Sequence, residues 1–351
     1  MNAARLAIIG FGMIGEKHAK ITKHIHECTL VAICDIDNTA KQTAEELGAE
    51  FYTDYQEMIE KEDLDGVIIA VPTDLHVPVG TACAQKGLHI FVEKPIASSI
   101  SDADSLIATV RQNNVRLLVG HYRRFNPLIE MTRKIIKGGE IGKLVGVTIL
   151  WTLLKPSEYF QASWRKSKGG GPILINLIHD IDNIRYICGE IIRVYAEMSN
   201  VVRKFSVEDS ASISLRFEDG AIGSILVSDC VPSMWSYEAT TAENAHFFHN
   251  PNPENCYYFF GTEASFVFPG LKKVFYPRHA QSGWQYPVST EEVEIVRSDP
   301  YQKQLKHFCH VVKGIENPRI TGEDAKKTLE VALAIHESGE IGKPISLNLA
   351  Q

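Results

Sequence analysis

Gly10-Phe11-Gly12-Met13-Ile14-Gly15 sets three glycines at G-x-G-x-x-G spacing, after the apolar run Leu6–Ile9 and before a helix-compatible stretch from Glu16 to His26. In that setting the glycines permit a tight turn and a close backbone approach to a pyrophosphate, with the helix N-terminus facing the anion. Asp35 comes 20 residues after Gly15, ending a second apolar run, Leu30–Cys34. A carboxylate there can accept both hydroxyls of a ribose and repels a 2′-phosphate, so NAD is expected as cofactor in preference to NADP. Alone, such glycines also serve merely to turn a chain; the strand, the helix and the distant acid together favour a nucleotide. Glu93-Lys94-Pro95 follows a fifth apolar run, His89–Val92. By composition it reads as a surface turn with two solvated charges. At the carboxyl end of a parallel strand, where open α/β sheets bind ligands, Lys94 can instead hold a substrate hydroxyl, stabilise a developing alkoxide and assist proton transfer. Pro95 leaves a cis peptide open at this point.

The elements that must position these residues alternate through the first third of the chain. Runs at Leu6–Ile9, Leu30–Cys34, Phe51–Tyr52, Val67–Val71, His89–Val92 and Arg116–Val119 are separated by helical stretches such as Thr39–Leu47, Tyr55–Lys61, His76–Lys86 and Ser101–Asn113. Gly48 and Gly87 close two of those helices. Continuous rather than alternating apolar strands imply a parallel sheet covered on both faces, and right-handed crossovers make it a doubly wound Rossmann sheet. After about residue 122 the texture changes. A helix at Pro127–Lys137 leads into β-rich runs at Leu144–Leu153, Val194–Val202, Ser210–Phe217, Ala221–Val227, Cys256–Phe260, Ser265–Phe268 and Lys273–Tyr276. The turn Glu218-Asp219-Gly220 is a hairpin signal. The fold class is therefore α/β: an N-terminal Rossmann domain over residues 1–122 and a C-terminal α+β domain over 123–351 with a mostly antiparallel sheet. Two helices, Tyr301–Val312 and Gly322–Ser338, close the chain within that second domain.

Composition excludes several classes. The 351 residues are 44% apolar and 23% charged, which is globular and allows about two domains. With 36 Lys plus Arg against 43 Asp plus Glu there is no basic surplus for nucleic acid. No apolar run is long enough for a membrane helix, and glycines interrupt the N-terminal one before it could act as a signal peptide. Seven scattered cysteines without a C-x-x-C pair argue against a disulfide framework or structural zinc and fit a cytoplasmic protein. The 13 histidines include no H-E-x-x-H, so no metal is expected.

In order along the chain, GFGMIG, VPTDLHVP at 71–78, FVEKPIA at 91–97, GGGPILINLIHDID at 169–182 and TGEDAKKTLEVALAIHESGEIGKPISL at 321–347 resemble the Gfo/Idh/MocA family, relatives of glucose–fructose oxidoreductase and inositol dehydrogenase. The resemblance spans essentially the whole chain. It implies a Rossmann domain and a C-terminal domain whose mostly antiparallel sheet is large and open, oxidation or reduction of a sugar or cyclitol hydroxyl, with NAD or NADP as cofactor, and a homo-oligomer, dimer or tetramer, built by packing the C-terminal sheets. Lys94 matches the family's catalytic lysine, and Glu93 a residue beside the nicotinamide ribose. Pro72, Thr73 and His76 match the cofactor-lining loop after the fourth strand. His179 matches the family's histidine after the glycine run, Asp182 the acid three residues on, and Trp164-Arg165 a recurrent pair lining the substrate pocket. The family aspartate four residues before the histidine is replaced by Ile175. Asn176, three before, can hydrogen-bond a substrate hydroxyl but cannot serve as a base. The expected division is His179 as base, Lys94 as electrostatic partner and Asn176 as positioner.

Other residues keep two readings. His179 could be a satisfied histidine at a helix start. Asp182 either orients the His179 ring or pairs with Arg185, and Asp180 is equally open. Arg123 and Arg124 either reach the cofactor, Arg123 being the choice for that role, or sit in ion pairs. The long stretch Trp235 to His249 reads as a loop and candidate lid, with Glu243, Asn244 and His246 as hydroxyl readers or plain solvated residues. The function expected is an NAD-dependent dehydrogenase of a secondary hydroxyl on a sugar, cyclitol or related polyol. Two alternatives stand beside it: a dehydrogenase of a cis-dihydrodiol derived from an aromatic acid, with Arg123, Arg165 or Lys168 receiving the carboxylate, and a non-catalytic NAD-sensing protein.

Overall fold

A computed structural model describes residues 3–243, 247–248 and 254–347. The chain forms two compact units, Met1–Phe125 with Ser298–Leu329, and Asn126–Arg297 with Glu330–Gln351. The first unit begins with β1 (Ala4–Ile9), α1 (Met13–Thr22), β2 (Cys28–Cys34), α2 (Ala40–Leu47), β3 (Glu50–Tyr52) and α3 (Tyr55–Lys61). It continues with β4 (Gly66–Ile69), α4 (His76–Gln85), β5 (His89–Val92), α5 (Ile100–Gln112) and β6 (Leu117–Val119). All six strands are parallel, in the order β3-β2-β1-β4-β5-β6. The order reverses between β1 and β4, so the loops at their carboxyl ends flank the position where such sheets take a dinucleotide. Every residue of β4 and β6 is buried, as a sheet covered on both faces requires. Local signals fix the helix ends: Asp54 caps α3 through the Gln56 N–H, Ser99 caps α5 through the Asp102 N–H, and Gly48 closes α2 in the left-handed region.

The second unit contains α6 (Pro127–Lys137), β7 (Leu144–Thr152), α7 (Ile178–Cys188), β8 (Ile191–Ser199), β9 (Ser210–Phe217), β10 (Ile222–Ser228) and α8 (Tyr237–Thr241). The same unit holds β11 (Tyr257–Gly261), β12 (Ala264–Phe268), β13 (Lys272–Phe275) and β14 (Ser289–Glu292); the chain then gives α9 (Pro300–Val312) to the first unit, runs through α10 (Gly322–Ile341), which begins in the first unit and ends in the second, and closes with the short strand β15 (Ile345–Ser346). Nine strands form one sheet in the order β14-β13-β12-β11-β7-β10-β9-β8-β15. Only β7 and β10 pair in parallel; the other neighbours are antiparallel. β9 alternates buried and exposed residues, so one sheet face lies on the core and the other is open. The β9–β10 hairpin turns at Glu218-Asp219-Gly220, with Gly220 at φ +93°. The core beneath the sheet includes Trp151, Ile178, Ile181, Phe259 and Phe266, none with exposed surface.

Two elements differ from the sequence reading. α9 groups with the parallel sheet rather than with the domain next to it in the chain. Its Phe308 ring packs edge-on against Phe91 of β5 at 5.6 Å, Lys306 pairs with Glu27, and Lys313 reaches Asp65 at 2.9 Å. Its apolar stripe of Leu305, Phe308, Cys309 and Val311 is buried, so it completes the cover that a parallel sheet needs. The segment read as an open loop from Trp235 holds the short helix α8. Ser236 caps it, and Tyr237 is fully buried and stacked on Phe268 at 5.7 Å, so the described start of this segment is packed rather than open. All seven cysteines are free thiols, and no helix among the described residues is long and apolar enough to cross a membrane. Phe308→Ala should cost about 3–5 kcal/mol. Urea denaturation followed by nucleotide-binding fluorescence should show the loss in the N-terminal unit.

Candidate active site

The first unit carries the nucleotide turn. Gly10 sits at φ +91°, and a Cβ there would lie 2.6 Å from the carbonyl of Ala70 in the loop after β4. A Cβ on Gly15 would lie 2.0 Å from the Gly10 carbonyl oxygen, so α1 can approach β1 only without a side chain at that position. A Cβ on Gly12 would meet nothing within 4 Å. The open side of the turn therefore lies at the start of α1, where no side chain caps Gly12. Asp35, at the end of β2, accepts a hydrogen bond from the Phe11 N–H on one oxygen and from the Asp37 N–H, at 2.8 Å, on the other. An open glycine at a helix N-terminus, with a carboxylate fixed beside the turn, fits an NAD(P) dinucleotide. Met13 is 68% exposed there, beside Gly12. Hydrogen bonds from Thr39 hold the Asp37 carboxyl below the usual carboxylate range, so this corner carries added negative charge.

At the carboxyl end of β5, Glu93 accepts from or donates to fully buried His18 through a 2.7 Å contact between Oε1 and Nε2. Burial pushes the Glu93 carboxyl up, but the His18 hydrogen bond and the charges of His18 and Lys94 outweigh it and hold the group below its ordinary value. Gly120 makes room, since a Cβ there would sit 2.8 Å from Glu93 Oε2. Lys94 is half-buried beside this pair, and its peptide bond to Pro95 is cis. Pro72 is exposed and Thr73 half-exposed at the start of the turn that leads into α4. His76 is 1% exposed, with Nδ1 2.9 Å from the Pro95 carbonyl and Nε2 3.0 Å from the Val71 carbonyl. Both ring nitrogens thus face carbonyls of the loops after β4 and β5, the neutral ring donating to one of them, and burial lowers the ring's pKa against the pull of those carbonyls. Arg123 and Arg124 are both buried; Arg124 forms an ion pair with Asp324 and accepts from Arg319 at its carbonyl.

The second unit carries the histidine. After the glycine run the chain makes a π-turn over Ile173–Leu177 and then enters α7, so Asn176 and His179 are joined by a helix that changes pitch between them. π-turns of this kind re-aim side chains and recur at functional sites. Glu208 organises the glycine run: its Oε1 accepts from the Ile173 N–H at 3.0 Å, and a Cβ on Gly171 would sit 2.1 Å from the same oxygen. Glu208 also pairs with His336 of α10 at 3.5 Å and raises that ring's pKa. His179 and Asn176 are half-buried. Asp180 and Asp182 are buried; Asp180 accepts from the Tyr257 hydroxyl, and Arg185 pairs bidentately with Glu190. Trp164 is 55% exposed on the turn before the glycines. Arg165 lies 3.9 Å from the Tyr159 ring and donates to the Tyr159 carbonyl at 2.7 Å. Glu243 accepts from the Tyr237 hydroxyl at 2.7 Å, while Asn244 and His246 lie outside the described residues.

Sequence reasoning missed three groups here. Lys155, just beyond β7, is 7% exposed and donates to Asn176 Oδ1 at 2.8 Å. Asp229 holds both Lys155 and Arg203. His18, three residues beyond Gly15, is buried on α1 with Gly15, Ala19 and Thr22. Among the described residues no group of three or more His, Cys, Asp or Glu side chains is placed to hold a metal ion.

Comparison with known proteins places these parts in a family. Residues 4–121 match the oxidoreductase family with an NAD-binding Rossmann fold (GFO_IDH_MocA), and residues 129–267 match the GFO/IDH/MocA C-terminal domain. The chain belongs to the Gfo/Idh/MocA family of NAD(P)-dependent oxidoreductases acting on CH–OH groups. It is 29% identical to the myo-inositol 2-dehydrogenase of Thermotoga maritima, covering 98% of each chain. It is 28% identical to the scyllo-inositol 2-dehydrogenase (NAD(+)) of Bacillus subtilis, over 98% of this chain and 96% of that one. The crystal structure of a myo-inositol 2-dehydrogenase from Lactobacillus plantarum shares the fold, with a TM-score of 0.79 at 24% identity over 99% of this chain and 100% of that one.

The steric contrast within the turn gives a prediction. Gly12→Ala should melt within about 1 °C of the unsubstituted protein yet weaken NADH binding roughly tenfold or more, whereas Gly15→Ala should itself lower stability by at least about 1–3 kcal/mol. Differential scanning fluorimetry with an NADH fluorescence titration separates the two.

Proposed function

We propose that this protein is an NAD-dependent dehydrogenase that oxidises a secondary hydroxyl of a cyclitol, sugar or related polyol. What supports the reading above all is similarity over 98% of the chain to two inositol 2-dehydrogenases, in a sequence that keeps both Lys94 and His179. Gly10 to Gly15, Asp35, Glu93, Lys94, Pro72, Thr73 and Arg123 form the cofactor set, with His76 bracing two of its loops. When bound, the nicotinamide dinucleotide supplies the hydride acceptor. His179 takes the proton of the substrate hydroxyl, Lys94 stabilises the negative charge that develops on that oxygen, and Asn176, Trp164 and Arg165 hold the ring. The preference for NAD rests on Asp35 and Asp37, whose carboxylates would repel a 2′-phosphate. The free thiols suit a cytoplasmic, reducing location.

The test is a panel of myo-inositol, scyllo-inositol, D-glucose, D-xylose and an aromatic cis-dihydrodiol, read by NADH absorbance with NAD and NADP in parallel. At least one polyol should be turned over, faster with NAD. Lys94→Ala and His179→Ala should each lower kcat by roughly 10²–10⁴-fold with NADH still bound. Near-normal turnover in both variants would overturn the catalytic assignment, turnover of the dihydrodiol alone would overturn the polyol, and a preference for NADP would remove the role given to Asp35.

The same reading includes a homo-oligomer formed through the open face of the nine-stranded sheet. Val145, Ile222, Leu226 and Phe260 are 43–53% exposed on the strands of this sheet, which carries a depression of about 830 Å³ lined by the first, second and fourth of them together with Thr148, Tyr195 and Ser224. Apolar residues exposed on a sheet are suited to burial against a second copy. Sedimentation velocity should show a dimer or tetramer, and Ile222→Lys with Leu226→Lys should yield monomers.

A further inference from the structure

We infer that Lys155 is a positioning residue that turns the Asn176 amide so that its N–H groups, rather than its oxygen, are presented to the substrate. This rests on the assignment of Asn176 and His179 to substrate. Lys155 Nζ stands 2.8 Å from Asn176 Oδ1 and 3.3 Å from Asp229 Oδ2. An ammonium has donors and no acceptor, so the amide must turn its oxygen to Lys155. Oxygen and nitrogen diverge within the plane of the amide, so with Oδ1 on Lys155 the two N–H donors of Nδ2 point away from the ammonium on this half-buried residue. Among the described residues Lys155 is the hydrogen-bond partner of that amide.

The lysine itself has little freedom. Its backbone N–H donates to the Asp229 carbonyl at 2.9 Å, and its own carbonyl accepts from Arg203 Nη2 at 3.0 Å. Asp229, 2% exposed, gives one carboxylate oxygen to Arg203 at 2.7 Å and the other to Lys155. The ammonium also lies 4.6 Å from the centre of the Tyr159 ring. Burial pushes its pKa down although Asp229 opposes the shift, so the cation is held in place by the carboxylate rather than by water. The group that Asn176 addresses on the substrate must then be an acceptor: a hydroxyl oxygen presenting a lone pair, or a carbonyl or carboxylate oxygen. A side chain fixed this way orients the ring and leaves proton removal to His179, which suits a chain with Ile175 where the acid would otherwise stand.

Four variants test the inference on the polyol of the panel with the highest kcat/KM. Asn176→Asp keeps a partner for Lys155 and removes both donors, so its KM should rise about five- to tenfold, as in Asn176→Ala, with a smaller change in kcat. Lys155→Met should raise KM by a similar factor, Lys155→Arg should restore most of it, and Lys155→Met should add nothing in the Asn176→Ala background. Wild-type KM in Asn176→Asp, or an undiminished effect of Lys155→Met once Asn176 is gone, would overturn the inference. Thermal melting and NADH binding report folding, and if Lys155→Met does not fold, the two Asn176 variants still decide. Turnover that falls in His179→Ala but stays normal in Asn176→Asp removes this inference alone. No turnover of any polyol by the unsubstituted protein removes the reading beneath it as well.

Discussion

The contact between His18 and Glu93 is the constraint on which the N-terminal unit turns. A carboxylate at the end of a buried parallel strand would be costly without a partner, and the partner comes from the helix that opens the dinucleotide turn. The pair fixes α1, whose N-terminus Gly12 leaves open, against the end of β5, which carries Lys94. Gly120 makes space for the carboxylate, and Phe91 and Tyr301 enclose the imidazole at 5.0 and 6.1 Å. Tyr301 belongs to α9, and this explains why a helix from the far end of the chain closes the N-terminal unit. His76 repeats the device one strand over, its two nitrogens bracing the loops after β4 and β5.

The second unit solves a similar problem with a different inventory. Its histidine stands on a helix whose first turn is a π-turn, anchored by Glu208 at the Ile173 N–H. His336 and Lys168 carry that anchor out to α10, through Glu208 and Glu340 respectively. On the other side, Lys155, Asp229 and Arg203 form a buried array in which each charge has an opposite partner. Such arrays contribute little net stability, because desolvation offsets the Coulombic gain. Their worth here is orientation, since Asp229 and the neighbouring backbone carbonyls fix where the Lys155 and Arg203 cations lie.

What was legible in the sequence follows from the range of the physics. The six parallel strands, the glycine turn with Asp35 and the E-K-P loop are local patterns of apolar runs and turn residues, and they appear in the structure within a residue or two. The placement of α9 was not legible, because an amphipathic helix announces that it must cover something but not which sheet it covers. The helix α8 was hidden in a stretch whose aromatic and polar residues gave no 3.6-residue period over its five residues. His18 and Lys155 were missed for the same reason: a lone histidine in a helix and a lysine after a strand look like solvated groups until folding brings a carboxylate or an amide to them. The two backbone carbonyls that face the ring nitrogens of His76 follow from no spacing rule either.

The substitution at Ile175 and Asn176 gains a physical meaning from these contacts. An aspartate beside a histidine base would accept protons and raise the ring's basicity by its charge. An amide does neither, and with its oxygen turned to a buried ammonium it presents its N–H donors instead. A donor in place of a carboxylate also exchanges a requirement for a substrate hydroxyl that gives its hydrogen for one that offers a lone pair. Ring hydroxyls can do both, so this exchange alters which orientation of a polyol is held without narrowing the chemistry that follows.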